Sequence, residues 1–268
     1  MNGRVLIVAG SDSGGGAGIQ ADIKTVTALG GFAMTAVTAL TAQNTQGVTA
    51  IHDVPADFVA EQMRVVLRDI GADAVKLGML HSPEVIAAVR QTLDAEAPDV
   101  PLIVDPVMVA KGGAKLLQDA AIAALKTRLV PGAALITPNL PEAEVLSGRG
   151  AATRDEFFDL GTALADLGAK AVLLKGGHLE GDNVVDLLLE GDEPPVVFED
   201  TRIDSRHTHG TGCTLASAVA TGLAQGKPLR QAVTRARAYV RQAMMTAPGL
   251  GQGHGPLNHG HTVRPFDG

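Results

Sequence analysis

Short, mostly apolar segments recur along the chain, at residues 5–9, 74–79, 101–105, 133–137 and 171–175. Runs of this length without polar alternation suit strands buried on both faces of a parallel sheet. Helical patterns lie between them. One spans residues 19–29 and stops at Gly30 and Gly31. A second starts at Pro55 and ends at Gly71. A third enters through Ser82 and Pro83, an N-cap followed by proline at the first helical position, and runs to about residue 95. Two more cover residues 154–167 and 228–246. Residues 184–189 and 196–203 alternate better and flank a GDEPP turn, which predicts an antiparallel hairpin at the sheet edge. Strand and helix thus alternate through most of the length. The expected fold is α/β, a doubly wound and mostly parallel sheet flanked by helices, in one domain spanning residues 1–268. In such sheets ligands sit beyond the carboxyl ends of the strands.

Composition narrows the function. Apolar residues make up 46% of the chain but aromatics only 3%, with no Trp. The core must therefore be aliphatic, and no aromatic platform exists for stacking nucleic-acid bases. A net charge of −7 also argues against nucleic acid. The single cysteine excludes an internal disulfide framework and fits a reducing compartment. No cleavable signal segment is visible, and no run approaches the ~20 apolar residues of a membrane helix. The expectation is a soluble cytoplasmic protein without membrane partners.

Two glycine-rich turns carry the chemistry. The first, residues 10–18, follows the strand at residues 5–9. It lacks the Gly-Lys-Ser/Thr ending of a Walker loop. Gly16, Gly18 and Ala21 meet the dinucleotide pattern loosely, but the next acidic residue after Asp22 is Asp53, too distant for the ribose contact. A third reading is a loop that closes over a small substrate, with Ser11, Asp12 and Asp22 facing it. The second turn, RHTHGTGCT at residues 206–214, opens the uncharged run 215–224, which reads as a buried helix. Gly210 and Gly212 let the backbone turn sharply and approach a ligand. The free N–H groups and dipole of the helix start make a ready phosphate site, and Cys213 lies inside it.

Other polar residues fall at strand ends. Asp105 ends the strand at 101–105, as a ligand group or as a cap. Asn139 and Glu142 are three apart before a helix start at Pro141; they form either a hydrated Mg²⁺ site or a capping box. Lys175 at a buried strand end is costly unless an anion meets it. Gln43 and Asn44 can close a turn or read the edge of an amino-substituted ring. Zinc is a poor fit: His207 and His209 are two apart, as are His259 and His261, and only one cysteine is present. Cysteine-nucleophile chemistry is a further rival, since a helix N-terminus lowers a thiol pKa. The cation, the anion hole and the metal-suited oxygens together match phosphoryl transfer.

Six motifs occur in order: AGSDSGGGAGIQAD (9–22), LTAQNTQ (40–46), VDPVM (104–108), TPNLPEAE (137–144), LKGGH (174–178) and HTHGTGCT (207–214). They resemble the hydroxymethylpyrimidine/phosphomethylpyrimidine kinases of thiamine biosynthesis, which have the ribokinase-like fold. The tail GPLNH (255–259) resembles that family's ending. The resemblance implies two ATP- and Mg²⁺-dependent phosphorylations, of a pyrimidine alcohol and then of its monophosphate. It implies that Gln43 binds the aminopyrimidine edge, with Gly10, Asp22, Met79 and Val107 around the ring. It directs Asn139, Glu142 and Asp105 toward Mg²⁺ and the phosphates, and Thr208 and Thr211 toward ATP. By the same resemblance Lys175 bridges the transferring phosphates, residues 210–213 form the anion hole, and the enzyme is a homodimer. Most sugar kinases of this fold carry Asp where this chain has Cys213. A weak, optional base or a polarising contact in the first step is therefore expected there, dispensable as a base in the second, whose phosphate acceptor is already anionic. The rivals are a pyridoxal or pyridoxine kinase of the same fold, a nucleotide-binding regulator and a dehydrogenase.

Overall fold

The computed structural model describes residues 1–108, 117–179, 181–264 and 266. Its strands are β1 (Arg4–Asp12), β2 (Phe32–Gln43), β3 (Val48–Asp53), β4 (Ala74–Leu77), β5 (Leu102–Val104), β6 (Leu135–Ile136), β7 (Ala171–Lys175), β8 (Asn183–Glu190) and β9 (Val196–Thr201). They form one sheet in the order β3-β2-β1-β4-β5-β6-β7-β8-β9. From β2 through β7 every pair is parallel. The β8–β9 hairpin is antiparallel, as expected, and so is its pairing to β7. The other edge differs from expectation: β3 also runs antiparallel, folded back along the end of β2.

The apolar runs lack alternation because each strand feeds two cores. In β1, Leu6 and Val8 enter one core, while Val5, Ile7 and Ala9 enter the other. Helix α1 (Gly18–Ala28) covers the second face together with α7 (Thr211–Ala224) and α8 (Leu229–Met245). The first face carries α2 (Ala56–Asp69), α3 (Pro83–Glu96), α4 (Asp119–Arg128), α5 (Leu140–Ser147) and α6 (Arg154–Ala165). Helices on both faces make the sheet doubly wound, confirming the α/β expectation.

Local rules set the helix starts. The Ser82 side chain accepts from Val85 N–H and Pro83 takes the first helical position of α3. Thr153 and Glu156 form a reciprocal capping box on α6. Helix α7 has no side-chain cap; Gly210, at φ +82°, turns the chain into it. A β-carbon there would collide with the Gly16 carbonyl oxygen, so glycine is required both by conformation and by space. The tail beyond α8 is irregular, as expected, yet it is tied down. His254 N–H donates to Thr45 O at 2.8 Å, and His209 N–H donates to Gly255 O at 3.2 Å. Among the described residues no helix is long and apolar enough to cross a membrane.

Candidate active site

An open cleft of about 1430 Å³ runs along the carboxyl ends of β1, β4, β5 and β7, under the start of α7. It receives Gly10, Gln43, Met79, Asp105, Val107, Asn139, Glu142, Lys175, Thr208, Gly210, Thr211, Gly212 and Cys213. Motifs up to about 200 positions apart in sequence thus share one cavity because the parallel strands end on the same side. Residues 109–113, which follow the VDPVM motif in sequence, lie outside the described residues.

The phosphate end is tightly built. Lys175, the last residue of β7, places Nζ 3.3 Å from Asp105 Oδ1. Burial works against its charge, but Asp105 and Glu142 hold its pKa above the ordinary lysine value. Thr137 Oγ1 donates to the same Asp105 oxygen at 2.9 Å. The other oxygen, Oδ2, is buried and has no hydrogen-bond partner among the described residues. A β-carbon built on Gly212 would lie 3.3 Å from Lys175 Nζ and 3.6 Å from Asp105 Oδ2. The start of α7, the cation and the carboxylate therefore meet at one point. The helical ladder begins with Thr214 N–H bonding Gly210 O at 2.9 Å, so the N–H groups of Gly212 and Cys213 precede it and belong to the anion-binding end.

Asn139 and Glu142 realise the capping-box alternative. Asn139 Oδ1 accepts from Glu142 N–H at 3.0 Å, and Glu142 Oε2 accepts from Asn139 N–H at 2.8 Å. Burial pushes the Glu142 carboxyl up to about 7, against the pull of Lys175. This geometry orients α5 toward the cleft; it leaves Asp105 Oδ2 as the oxygen most open to a new partner.

Two expectations need correction. Asp22, expected beside the substrate ring, is fully buried and does not line the cleft. Its carboxylate accepts from Lys76 Nζ at 2.9 and 3.1 Å and from Ser217 Oγ at 2.6 Å. Lys76 faces the cleft floor in its place. Burial opposes its charge, but Asp22, Cys213 and Asp105 raise its pKa. The second correction concerns Cys213. A helix N-terminus lowers a thiol pKa, yet burial dominates here and pushes Cys213 up to about 12, with Lys76 pulling the other way. At neutral pH the side chain is a neutral thiol.

Sequence reasoning missed Lys76 and gave His209 only a zinc reading. A lysine inside the apolar run 74–79 was the available signal, since a charge there must be paired. His209 instead joins Asp12, with Nε2 to Oδ2 at 2.8 Å. Among the described residues no group of three His, Cys, Asp or Glu side chains could hold a metal ion on its own. The cleft is also lined by Val184, Ile203, Val240 and Met244 together with the charged Asp186, Asp200, Arg237 and Arg241; no sequence motif marked these residues.

A family model described as phosphomethylpyrimidine kinase matches residues 12–258. The chain is 54% identical to the thiamine biosynthesis bifunctional protein ThiED of Geobacter sulfurreducens over 96% of its own length and 52% of that protein. It thus spans about half of that relative. It is 48% identical to the hydroxymethylpyrimidine/phosphomethylpyrimidine kinase of Rhizobium meliloti, over 97% of this chain and 98% of the relative. Among solved structures, the pyridoxal kinase of Staphylococcus aureus in complex with AMP-PCP and pyridoxal superposes with a TM-score of 0.88. Its identity is 33%, over 97% of this chain and 94% of that one.

Proposed function

Since the chain belongs to the phosphomethylpyrimidine kinase family, we propose that it phosphorylates the hydroxymethyl group of 4-amino-5-hydroxymethyl-2-methylpyrimidine and then the resulting monophosphate. ATP is the donor in both steps. The enzyme is a kinase of thiamine biosynthesis. The observation that carries the assignment of roles is the convergence of Lys175, Asp105 and the start of α7 around Gly212. Phosphoryl transfer asks a protein for positioning and charge neutralisation, and that point supplies both.

In the first step the alcohol oxygen attacks the γ-phosphorus, the bond to the leaving ADP oxygen breaks, and the alcohol proton passes to an oxygen of the transferred phosphate or to water. In the second, a phosphate oxygen attacks and no proton need leave. Gln43 takes the aminopyrimidine edge, with Gly10, Met79 and Val107 around the ring. The N–H groups of Gly212 and Cys213 receive the γ-phosphate, flanked by Thr208 and Thr211. Lys175 neutralises charge as it moves to the leaving oxygen. Val184, Ile203, Val240 and Met244 offer apolar contacts in the lining that suit the adenine. Asp105 Oδ2, without a hydrogen-bond partner among the described residues, fits a divalent cation, which Glu142 would help to hold. Bound there, Mg²⁺ would supply charge neutralisation on the phosphates. A cytoplasmic setting agrees with the single cysteine. A homodimer is part of the same proposal, with Ile51 exposed on the edge strand β3.

Incubation with Mg-ATP and the pyrimidine alcohol should yield both mono- and diphosphate masses by mass spectrometry. Formation of the monophosphate alone, or of neither, would refute the two-step assignment. The same assay separates it from a vitamin B6 kinase, which has no reason to phosphorylate a monophosphate.

A neutral Cys213 thiol is a poor base at neutral pH and acts instead as a contact to the attacking oxygen. Cys213→Ala is expected to lower kcat of the first step about tenfold and of the second less than about twofold, with Cys213→Ser between them. Equal losses in the two steps would rule out this division of roles.

A further inference from the structure

The strand that delivers Lys175 ends against a charge cluster that none of these roles uses. Lys175 closes β7 opposite Asp186 of β8. Its own N–H donates to Pro138 O at 2.9 Å, which ties it to the chain leaving β6. On the other side the ladder stops. The N–H of the next residue, Gly176, donates to Asp186 Oδ1 at 3.0 Å, so a side chain stands where the backbone of β8 would otherwise accept. The approach is close: a β-carbon on Gly176 would collide with the Val185 carbonyl oxygen, and only glycine fits.

Asp186 is itself held. It is 8% exposed. Its Oδ2 accepts from Arg237 Nε at 2.8 Å. Arg237 reaches in from α8, donates through Nη1 to Asp200 Oδ2 at 2.8 Å and lies over the Phe198 ring, 4.8 Å from its centroid. The planar guanidinium thus fixes side chains of both hairpin strands at once. Two charge centres stay distinct here. Asp105 and Glu142 favour the Lys175 ammonium, whereas the Asp186 carboxylate is balanced by Arg237. Asp186 therefore acts on the backbone beside Lys175.

We propose that Asp186, fixed by Arg237, is a positioning residue for Lys175: it sets where β7 ends and so where the ammonium stands against the transferring phosphate. This rests on the reading of Lys175 as the cation that neutralises charge in transfer. An ammonium is a point charge on a flexible stem, and its effect on the phosphate falls with distance. The root of that stem is fixed by Pro138 O on one side and by Asp186 on the other. Without Asp186 the buried Gly176 N–H loses its acceptor and the strand end can shift. A misplacement of about 1 Å in a positioned group can cost about a hundredfold in rate. Gln43 and Met79 follow from other strands, β2 and β4, and do not share this anchor. The loss should therefore fall on kcat and spare pyrimidine binding.

The test is steady-state kinetics of both phosphorylations, with melting temperatures, on Asp186→Ala, Asp186→Asn, Asp186→Glu and the Asp186→Ala/Lys175→Ala pair. Asp186→Ala should lower kcat about thirtyfold in each step and move the pyrimidine KM by less than about twofold. Asparagine keeps an oxygen in place for Gly176 N–H while Arg237 keeps Asp200, so Asp186→Asn should stay within about threefold of the parent kcat. Glutamate keeps the charge but carries the acceptor one methylene too far, so Asp186→Glu should lose about tenfold. The double variant should be no slower than Lys175→Ala alone. A small kcat loss in Lys175→Ala itself would remove Lys175 from the chemistry, and the positioning role with it. A large loss there, with Asp186→Ala at the parent kcat or with the two losses multiplying in the double variant, would keep Lys175 and overturn the role of Asp186 alone. An active Asp186→Glu beside an inactive Asp186→Asn would make the contribution one of charge. A kcat loss that follows the melting temperature through every Asp186 variant would make it one of stability. Either result overturns the proposal, and the asparagine and glutamate variants decide it even if Asp186→Ala does not fold.

Discussion

Lys175→Ala is expected to lower kcat about a thousandfold in both phosphorylations while moving the pyrimidine KM by less than about twofold. The reason lies in where the charge sits. Lys175 Nζ lies beside Gly212, 3.3 Å from Asp105 Oδ1. A cation there does little for the binding of a neutral ring. It matters when negative charge shifts onto the leaving oxygen, so the loss falls on the transition state rather than on the ground state. Removing it also leaves Asp105 and Glu142 without the cation that both of them face. Lys175→Arg should not rescue, because a planar fork replaces a compact point charge in a site fitted to the latter. Rapid-quench assays of both steps, with pyrimidine and ATP varied separately, give the numbers. A kcat loss below about tenfold would remove Lys175 from the chemistry.

The sheet was legible in the sequence because burial on both faces leaves a mark that needs no neighbour to interpret. The runs at residues 5–9 and 171–175 become β1 and β7 within a few positions. Helix α4 was not legible: its alanine-rich stretch has no clear apolar stripe, and tertiary contact through Ala121 and Leu125 selects it. The antiparallel direction of β3 depends on a short turn through Asn44 and Gly47, where Asn44 N–H donates to Gly47 O at 3.1 Å. Strand pattern alone carries no direction. The phosphate end of the cleft could be read from strand ends and glycine turns, since position in an open parallel sheet fixes function there. Asp22 could not. As a motif residue it reads as a substrate contact, and only the fold brings Lys76, 54 positions away, onto both of its oxygens. His209 failed for the same reason: its partner Asp12 is 197 positions distant, and the nearby His207 suggested a metal instead.

The largest stability effect is expected at this hidden pair. Lys76→Met should destabilise the fold by about 3–5 kcal/mol, because it strips the cation from a carboxylate with no access to water. Both side chains of the pair are 0% exposed, and only Ser217 Oγ, at 2.6 Å, remains to satisfy Asp22. For a chain of this size the midpoint of thermal unfolding should fall by about 10 °C. The effect should depend on pH in one direction. In the native enzyme the charge of Lys76 holds through neutral pH, while burial already raises the Asp22 pKa against the pull of Lys76. In the variant, loss of that cation raises the Asp22 pKa further above its unfolded value. A group raised in this way destabilises the fold once pH exceeds the unfolded pKa, so the deficit should shrink as the solution is acidified toward pH 4. Replacing both members, Lys76→Met with Asp22→Leu, removes the orphaned charge and should return most of the lost stability. Urea unfolding of the single and double variants at two pH values tests all of this, and a deficit that ignores pH and persists in the double variant would show that the pair acts by packing alone. Activity of the refolded double variant then carries a separate meaning. Lys76 faces the cleft floor beneath Cys213 and Asp105, so a stable double variant with depressed kcat would place this buried cation among the charges that assist transfer, while full activity would confine it to holding α1, β4 and α7 together.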